Sequence, residues 1–423
     1  MGKYLFVLLL SFSFSNAQSL LEYRLKRQLR KIPAFKEAFV GISVSPLENP
    51  KAIIAINDQK YMTPASNTKL LTYLGAIQNF DSLPSLYYTV KNDSVIQFTS
   101  SGYPLLLHPF YPDKNLTAFF KQEFNFEYVV PSFTPKPQGP GWSWDDYSYY
   151  YASERSPFPI YGNAVGLTKG NDTVKTIPPG FEYIEKPGDT TPSALRARNT
   201  NSFTLNPLKI EENDTLYRPF ITSDSLFVRL LGQAVGKQIP LVECSQDGDW
   251  TPLYTHAEEA LYKGLLQDSD NGIAEALLLM IAYKNIRVFS AEKAIESLQS
   301  QWTPWAPDSF IWVDGSGVSR YNMFTPRALV AVLKQIHKES SWQQITARFP
   351  KGGESGTLKA YDVQQVYGKT GTLRHNHNLS GYLITKRGET LVFSILVNHF
   401  TSPTSEIRAG IGNVLKWLQK KAK

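Results

Sequence analysis

The sequence contains a single cysteine, six histidines and no long apolar segment beyond its first residues. Because Cys244 has no second cysteine to pair with, no internal disulfide can form, and the fold must be held together by its hydrophobic core. No run of basic residues with interleaved aromatics is present, so we do not expect a nucleic-acid-binding protein. The net charge of +7 suits an anionic polymer as a partner, but we interpret it first as the charge of a solvated surface.

The first 17 residues have the pattern of a secretory signal peptide. Lys3 is followed by the apolar run from Tyr4 to Phe14 and by the small-residue stretch from Ser15 to Ala17. The apolar run is shorter than the ~20 residues of a membrane-spanning helix. We therefore expect cleavage after Ala17 and an exported, periplasmic protein without a stable membrane span.

Three short motifs lie far apart in the chain, in the order S-x-x-K, S-D-N and K-T-G. They are Ser66–Lys69, Ser269–Asn271 and Lys369–Gly371. This set is used by serine enzymes that form an acyl ester on the first serine with D-alanyl peptides or β-lactams. Independent helix caps and turns have no reason to occur in this order. The three motifs together therefore predict an acyl-transfer site.

Two competing interpretations of these patterns fail on their context. Residues Ser290 to Lys293 also read S-x-x-K, but the spacing of the apolar residues after them predicts an ordinary helix surface. Residues Gly368 to Thr370 match the end of a nucleotide-binding P-loop. That motif needs a glycine where Val363 stands, and the flanking residues resemble strands, so no phosphate-binding loop is expected.

The first and third motifs supply a nucleophile and two lysines. Lys69 lies one helical turn after Ser66, so its amine can take the hydroxyl proton if burial or a second cation lowers its pKa. We expect Lys369 to be that cation and also to bind the C-terminal carboxylate of a substrate. The remaining residues of this expected substrate-binding segment are Thr370, Gly371 and Thr372.

The second motif is expected on a short loop that leads into a helix. The Ser269 hydroxyl can relay a proton to a leaving nitrogen, and the Asn271 amide can hold Lys69 and the substrate backbone. The developing oxyanion needs two preorganised N–H donors. The backbone groups of Ser66 and Thr372 are the candidates.

The periodicity of the chain predicts an α+β fold built from both of its ends. Strands are expected over residues 38–44, 52–57, 382–384 and 391–398, and a final helix over 406–420. The region between the first two motifs has short β-like runs rich in Tyr, Phe and Pro. We therefore predict a catalytic domain of residues 18–77 and 246–423, and an inserted β-rich region of residues 78–245.

Several segments resemble the penicillin-binding D-alanyl-D-alanine carboxypeptidase and endopeptidase family of low-molecular-mass class C type, whose members carry a large insert. These segments are residues 64–72, 141–147, 314–320, 355–358 and 369–373. The resemblance implies a transpeptidase or β-lactamase-like domain, an antiparallel sheet flanked by helices, with a β-rich insert. It also implies cleavage of peptidoglycan stem peptides through an ester on Ser66, with β-lactams as covalent inhibitors.

Features outside the motifs leave further interpretations open. Asp146 could hold a substrate ammonium or cap a turn. His375 and His377 could bind a metal, but further ligands are not evident, so we expect a loop at the edge of the cleft and no metal or cofactor. Residues 153–157 differ from the family's small apolar stretch, which predicts a different insert surface. The apolar stripe of the C-terminal helix is expected to pack on the sheet rather than on a membrane.

Two other functions share these motifs. A β-lactamase would acylate in the same way but needs a group that hydrolyses the ester quickly, and no glutamate loop of the class A type is evident. A catalytically silent wall-binding relative would keep the motifs without the chemistry. The sequence leaves open the balance of carboxypeptidase and endopeptidase activity, and whether a homo-oligomer forms.

Overall fold

The computed structural model describes residues 20–49, 51–171, 173–242 and 249–422. The expected signal peptide and Cys244 lie outside these ranges. None of the helices within them is long and apolar enough to cross a membrane.

The secondary structure of the described residues alternates short strands with helices. The strands are β1 Phe39–Pro46, β2 Ile54–Ile56, β3 Pro84–Asn92, β4 Val95–Thr99, β5 Asn125–Val129, β6 Ala164–Gly170, β7 Thr173–Ile177, β8 Glu182–Glu185, β9 Ala194–Arg196, β10 Ser202–Leu205, β11 Thr215–Pro219, β12 Leu241–Val242, β13 Thr251–Tyr254, β14 Val366–Leu373, β15 Asn376–Ile384 and β16 Thr390–Asn398. The helices are α1 (residues 20–29), α2 Lys69–Asn79, α3 Lys114–Phe120, α4 Asp224–Val235, α5 Glu258–Leu266, α6 Asn271–Ile286, α7 Ala291–Trp302, α8 Pro326–Glu339, α9 Trp342–Arg348 and α10 Thr404–Lys421.

An antiparallel five-stranded sheet joins the two ends of the chain. Its strand order is β14, β15, β16, β1 and β2. The pairing of β1 with β16 runs from Phe39 opposite Asn398 to Pro46 opposite Leu391. The α+β prediction, with strands from both ends of the chain in one sheet, is therefore confirmed.

Helices cover both faces of this sheet, and each face has its own core. On one face, α10 buries its apolar stripe against the sheet, so the packing predicted for the C-terminal helix is confirmed. Its buried residues are Ile407, Ile411, Val414, Leu415 and Leu418. On the other face, α8 packs on β1 and β16, and α2 lies between α8 and α6.

The chain between α2 and α5 forms three further sheets. Their strand orders are β12-β5-β4-β3-β13, β11-β6-β7 and β8-β10-β9. Strand β13 lies beyond residue 245, the expected end of the insert, but pairs with β3. Apolar side chains of these sheets join those of α2, α6 and α8 in one continuous core.

A buried ion pair connects the insert to helix α6. Arg155 Nε donates to Glu275 Oε2 over 2.9 Å, and Glu275 Oε1 accepts a bond from the backbone N–H of Ser316. Both side chains are less than 10% exposed. The expectation that residues 153–157 alter the insert's surface is therefore wrong, because residues 153–156 are buried at this contact.

Replacing Arg155 with Ala is expected to lower the free energy of unfolding by about 3–5 kcal/mol, because the Glu275 carboxylate would stay buried without its partner. Denaturant unfolding measures this change. Arg198→Ala is the control, since the Arg198 side chain is exposed and stacks on Trp144 without a carboxylate partner among the described residues. Equal stabilities for the two variants would contradict the structural role of the ion pair.

Candidate active site

Ser66 and Lys69 face each other from one tight turn. Residues Ala65–Thr68 form a 3-10 helix that continues directly into α2 at Lys69. In a 3-10 turn, side chains three residues apart lie above one another. This geometry brings Lys69 Nζ to 3.1 Å from Ser66 Oγ.

The Lys69 ammonium is fully buried and donates to three uncharged acceptors. Besides Ser66 Oγ, these are Asn271 Oδ1 at 2.5 Å and the carbonyl oxygen of Ser316 at 2.7 Å. Burial lowers the pKa of Lys69 to about 8, although nearby carboxylates, led by Asp314, act in the opposite direction. An appreciable fraction of this amine is therefore neutral at physiological pH.

Lys369 lies in the middle of β14 and is also fully buried. Its Nζ donates to Ser269 Oγ over 2.8 Å and to the carbonyl oxygen of Thr370 over 3.0 Å. Burial, followed by repulsion from Lys69, holds the pKa of Lys369 well below its usual range. Burial rather than Lys369 is thus the main cause of the lowered pKa of Lys69. The Lys369 amine is enclosed beneath the cleft, not exposed in it.

The S-D-N segment links both lysines to the insert. Ser269 has a φ of 62°, in the left-handed region that non-glycine residues rarely adopt. Asp270 caps α6 by accepting the Ile273 N–H over 2.9 Å. Asn271 Nδ2 donates to the carbonyl oxygen of Tyr151 over 2.7 Å, so the insert helps to orient the amide that holds Lys69.

Two further insert residues surround the Asp270 carboxylate. The Tyr150 hydroxyl donates to Asp270 Oδ2 over 2.6 Å, and His108 Nε2 lies 3.6 Å from the same oxygen. Burial opposes ionisation of Asp270, but contacts with His108, Tyr150 and the α6 cap together bring its pKa to about 2. The motifs did not identify these two residues, since neither forms a recognisable pattern with S-D-N.

The loop after α7 supplies the Ser316 carbonyl and is held by a buried carboxylate. Asp314 accepts the backbone N–H groups of Gly317 at 2.9 Å and Ser319 at 2.7 Å, and the indole N–H of Trp142 at 2.9 Å. A Cβ on Gly317 would lie 2.0 Å from the Ala65 carbonyl oxygen. The repeated glycines of the D-G-S-G sequence were the signal for this close approach to the nucleophile turn.

The K-T-G strand alternates between the two faces of the sheet. Lys369 points toward Ser269 and the helices, whereas Thr370 and Thr372 are on the opposite face. Thr370 is buried, and Thr372 is exposed with its hydroxyl 2.7 Å from His377 Nδ1. A Cβ on Gly371 would lie 2.4 Å from the Pro64 carbonyl oxygen, so this glycine allows β14 to contact the nucleophile turn.

Asp146 lies beside the site in the insert. It is half-buried in the 3-10 helix Trp144–Ser148 and accepts the hydroxyl of Tyr151 over 2.7 Å. Because the Tyr151 carbonyl accepts a hydrogen bond from Asn271, three hydrogen bonds in series connect the carboxylate of Asp146 to Lys69.

The remaining sequence features have structural partners. Ser290 caps α7 and Lys293 pairs with Glu296 at the surface, as predicted. His375 lies in a turn and donates from Nδ1 to the Phe400 carbonyl, but His377 lies in β15 rather than in the expected loop. Within the described ranges, no group of three or more potential metal ligands comes together.

The five motif residues expected to carry the chemistry therefore converge on one cluster, which the fold positions at the edge of β14. Such a cluster, with a lysine base one turn from a serine, defines the class of serine acyl-transfer proteins. The sequence matches the D-Ala-D-Ala carboxypeptidase 3 (S13) family over residues 21–118 and 221–419, and the chain belongs to this family.

Individual relatives align over shorter stretches. The chain is 32% identical over 154 residues to D-alanyl-D-alanine carboxypeptidase DacB of Haemophilus influenzae, covering 34% of this chain and 32% of that protein. It is 30% identical over 173 residues to a D-alanyl-D-alanine carboxypeptidase of Actinomadura sp., covering 37% and 32% of the two chains. The alignments thus span about a third of the length of these curated relatives.

Solved structures share the fold over almost the whole chain. Penicillin-binding protein 4 from Haemophilus influenzae superposes with a TM-score of 0.74 at 19% identity, covering 93% of this chain and 99% of that one. A predatory peptidoglycan endopeptidase from Bdellovibrio bacteriovorus gives 0.52 at 14% identity, covering 90% and 93%. The expected fold class is confirmed.

Replacing Gly371 with Ala is expected to slow acylation by a penicillin by about tenfold or more, because the added methyl would push β14 away from the turn that carries Ser66. Stopped-flow acylation rates measure this effect. Gly170→Ala is a control for added side-chain bulk, since no atom lies within 4 Å of a Cβ placed on Gly170 and its φ is outside the left-handed region. An unchanged rate in Gly371→Ala would contradict the proposed packing requirement.

Proposed function

We propose that the protein is a serine D-alanyl-D-alanine carboxypeptidase or endopeptidase that cleaves peptidoglycan stem peptides through an ester on Ser66. The observation that carries this proposal is the buried Lys69 amine, which lies 3.1 Å from Ser66 Oγ and has a pKa of about 8. Membership of the S13 family and the named activities of the aligned relatives support the same reaction.

The reaction follows from the contacts of the site. Ser66 Oγ attacks the carbonyl carbon of the scissile D-Ala bond while its proton passes to Lys69 Nζ. The backbone N–H groups of Ser66 and Thr372 are the proposed donors to the oxyanion. Collapse of the tetrahedral intermediate breaks the C–N bond, and the Ser269 hydroxyl relays the proton that Lys69 took from Ser66 to the leaving amine. Water then hydrolyses the ester and regenerates Ser66.

Substrate recognition is divided between the K-T-G strand and the insert. The exposed hydroxyl of Thr372 is the proposed donor to the C-terminal carboxylate, with Thr370 beside it on the same strand. Lys369 would act on this carboxylate through its charge rather than by direct contact, since its amine is enclosed. Asp146 is the proposed partner for an ammonium group of the stem peptide, at the insert side of the cleft.

The proposal also includes the cellular location of the protein and its division into domains. The apolar run after Lys3 supports export to the periplasm, where stem peptides are found. We propose that the catalytic domain consists of the two parts of the chain that precede and follow the insert. The pairing of β13 with β3 favours extending the insert from residue 245 to Tyr254.

Incubation with a penicillin is expected to leave a stable mass adduct on wild-type protein and none on Ser66→Ala, because Ser66 is the proposed nucleophile and the Lys69 amine lies 3.1 Å from its hydroxyl. Intact-protein mass spectrometry with peptide mapping measures this. Ser290→Ala is the matched control, since Ser290 has the same S-x-x-K spacing on a helix surface, and it should acylate like the wild type.

The other outcomes of this experiment separate the alternative functions. Consumption of the drug without a lasting adduct would indicate a β-lactamase. No reaction with the drug or with a D-Ala-D-Ala peptide would indicate a catalytically silent relative, and an adduct elsewhere than Ser66 would overturn the assigned nucleophile.

The acylation rate is expected to rise with pH and to level off above about pH 8. Lys69 accepts the Ser66 proton only when its amine is neutral. Below the pKa of Lys69, each fall of one pH unit should therefore lower the acylation rate by about tenfold. Stopped-flow acylation across about pH 6 to 10 measures this profile, after subtraction of spontaneous drug hydrolysis. A rate independent of pH between about 6 and 8 would contradict the assignment of Lys69 as the base.

A further inference from the structure

The exposed hydroxyl of Thr372 is the end of a chain of three hydrogen-bonded side chains. Thr372 Oγ1 lies 2.7 Å from Nδ1 of His377, which is directly opposite it on β15. Nε2 of the same ring lies 2.7 Å from the hydroxyl of Tyr361. The chain therefore runs from the exposed Thr372 hydroxyl on the K-T-G strand into the core between the sheet and α10.

The inner end of this chain is buried, and the ring in the middle is neutral. Tyr361 and His377 are 3% and 2% exposed. Burial, with repulsion from Arg408 on α10, lowers the pKa of His377 to about 4, so the ring carries only one N–H at neutral pH. Burial also raises the pKa of Tyr361, which keeps its proton.

The buried tyrosine decides which ring nitrogen carries the proton. Within the described ranges, His377 Nε2 is the one hydrogen-bond partner of the Tyr361 hydroxyl. A buried hydroxyl proton without an acceptor is costly, so Tyr361 donates to Nε2. Nε2 then accepts, and the single N–H of the ring is on Nδ1.

The direction of these bonds fixes the role of Thr372. Because His377 Nδ1–H donates to Thr372 Oγ1, the threonine hydroxyl accepts on its inner side, and its own proton is free to point into the cleft. In the opposite tautomer, Thr372 would donate inward and present only lone pairs to the cleft. Those lone pairs would repel a carboxylate.

We propose that Tyr361 and His377 are positioning residues that orient the Thr372 hydroxyl as a donor, and so make the site selective for substrates with a free C-terminal carboxylate. This inference rests on the proposed function, since it concerns the binding of the substrate's terminal D-Ala. It adds two residues to the specificity apparatus, neither of which contacts the substrate.

The test compares a peptide ending in D-Ala-D-Ala with the same peptide bearing a C-terminal amide. The measured quantity is the ratio of kcat/KM for the acid to kcat/KM for the amide. In Tyr361→Phe this ratio should fall by about tenfold, because a hydrogen bond to a charged acceptor is lost from part of the population. The rate on the amide should change little.

Two further variants separate this effect from general damage. Tyr382→Phe removes a different buried tyrosine hydroxyl, one on β15 that donates to the Leu333 carbonyl, and should leave the ratio unchanged. Thr372→Val should lower the ratio at least as much as Tyr361→Phe, and adding Tyr361→Phe to Thr372→Val should change it no further. An unchanged ratio in Tyr361→Phe, or equal effects of the two tyrosine variants, would overturn the proposal.

A direct measurement reads the tautomer in the unmodified protein and needs a variant only to assign the signals. In a long-range proton–nitrogen NMR spectrum, assigned by the signals lost in His377→Gln, Nδ1 should have the shift of a protonated nitrogen and Nε2 that of an acceptor. Protonation of Nε2 instead would overturn the inference. Failure of wild-type protein to cleave the acid peptide would overturn the proposed function, whereas the NMR result would still report the tautomer.

Discussion

The Lys69 ammonium is buried among acceptors that carry no charge. A carboxylate in direct contact would satisfy it better but would also keep it protonated, so that it could not take a proton from Ser66. Three carboxylates do lie nearby, and each is occupied by other donors: Glu275 by Arg155, Asp314 by the backbone of its own loop, and Asp270 by the insert and the α6 cap. The α6 helix and the loop after α7 are thus arranged to bring neutral oxygens, not charges, to this amine.

The sequence predicted which motif side chains would come together in the site. Ser66, Lys69, Ser269, Asn271 and Lys369 were identified because their spacing matches a known chemistry, and strands from both chain ends because their periodicity is regular. The Ser316 carbonyl could not be identified in this way, since a backbone oxygen has no signature in a sequence. Tyr150 and His108 were missed for another reason: their contact with Asp270 depends on how the insert packs, which involves residues more than a hundred positions apart.

Burial was the other quantity that the sequence did not reveal. Lys369 was expected to bind the substrate's carboxylate, yet strand alternation turns its buried amine toward the helices and the Ser269 hydroxyl. His377 was expected in a loop, but it continues β15, where its ring faces the core beneath α10. In both cases the residue type suggested an exposed polar group. Successive residues of a strand face opposite sides of the sheet, so the exact position of each residue along its strand determined whether its side chain is buried.

The insert shares its hydrophobic core with α2, α6 and α8 and supplies Arg155 to the centre of the molecule. A domain with its own separate core can be gained or lost without disturbing its neighbour. The insert has no such separate core. Its sheets share one core with these helices, so the loss of either would expose apolar surface, and we expect the two to unfold together. In evolution, such an insert can change at its solvent-exposed loops while its inner face is constrained to change together with the helices that it contacts.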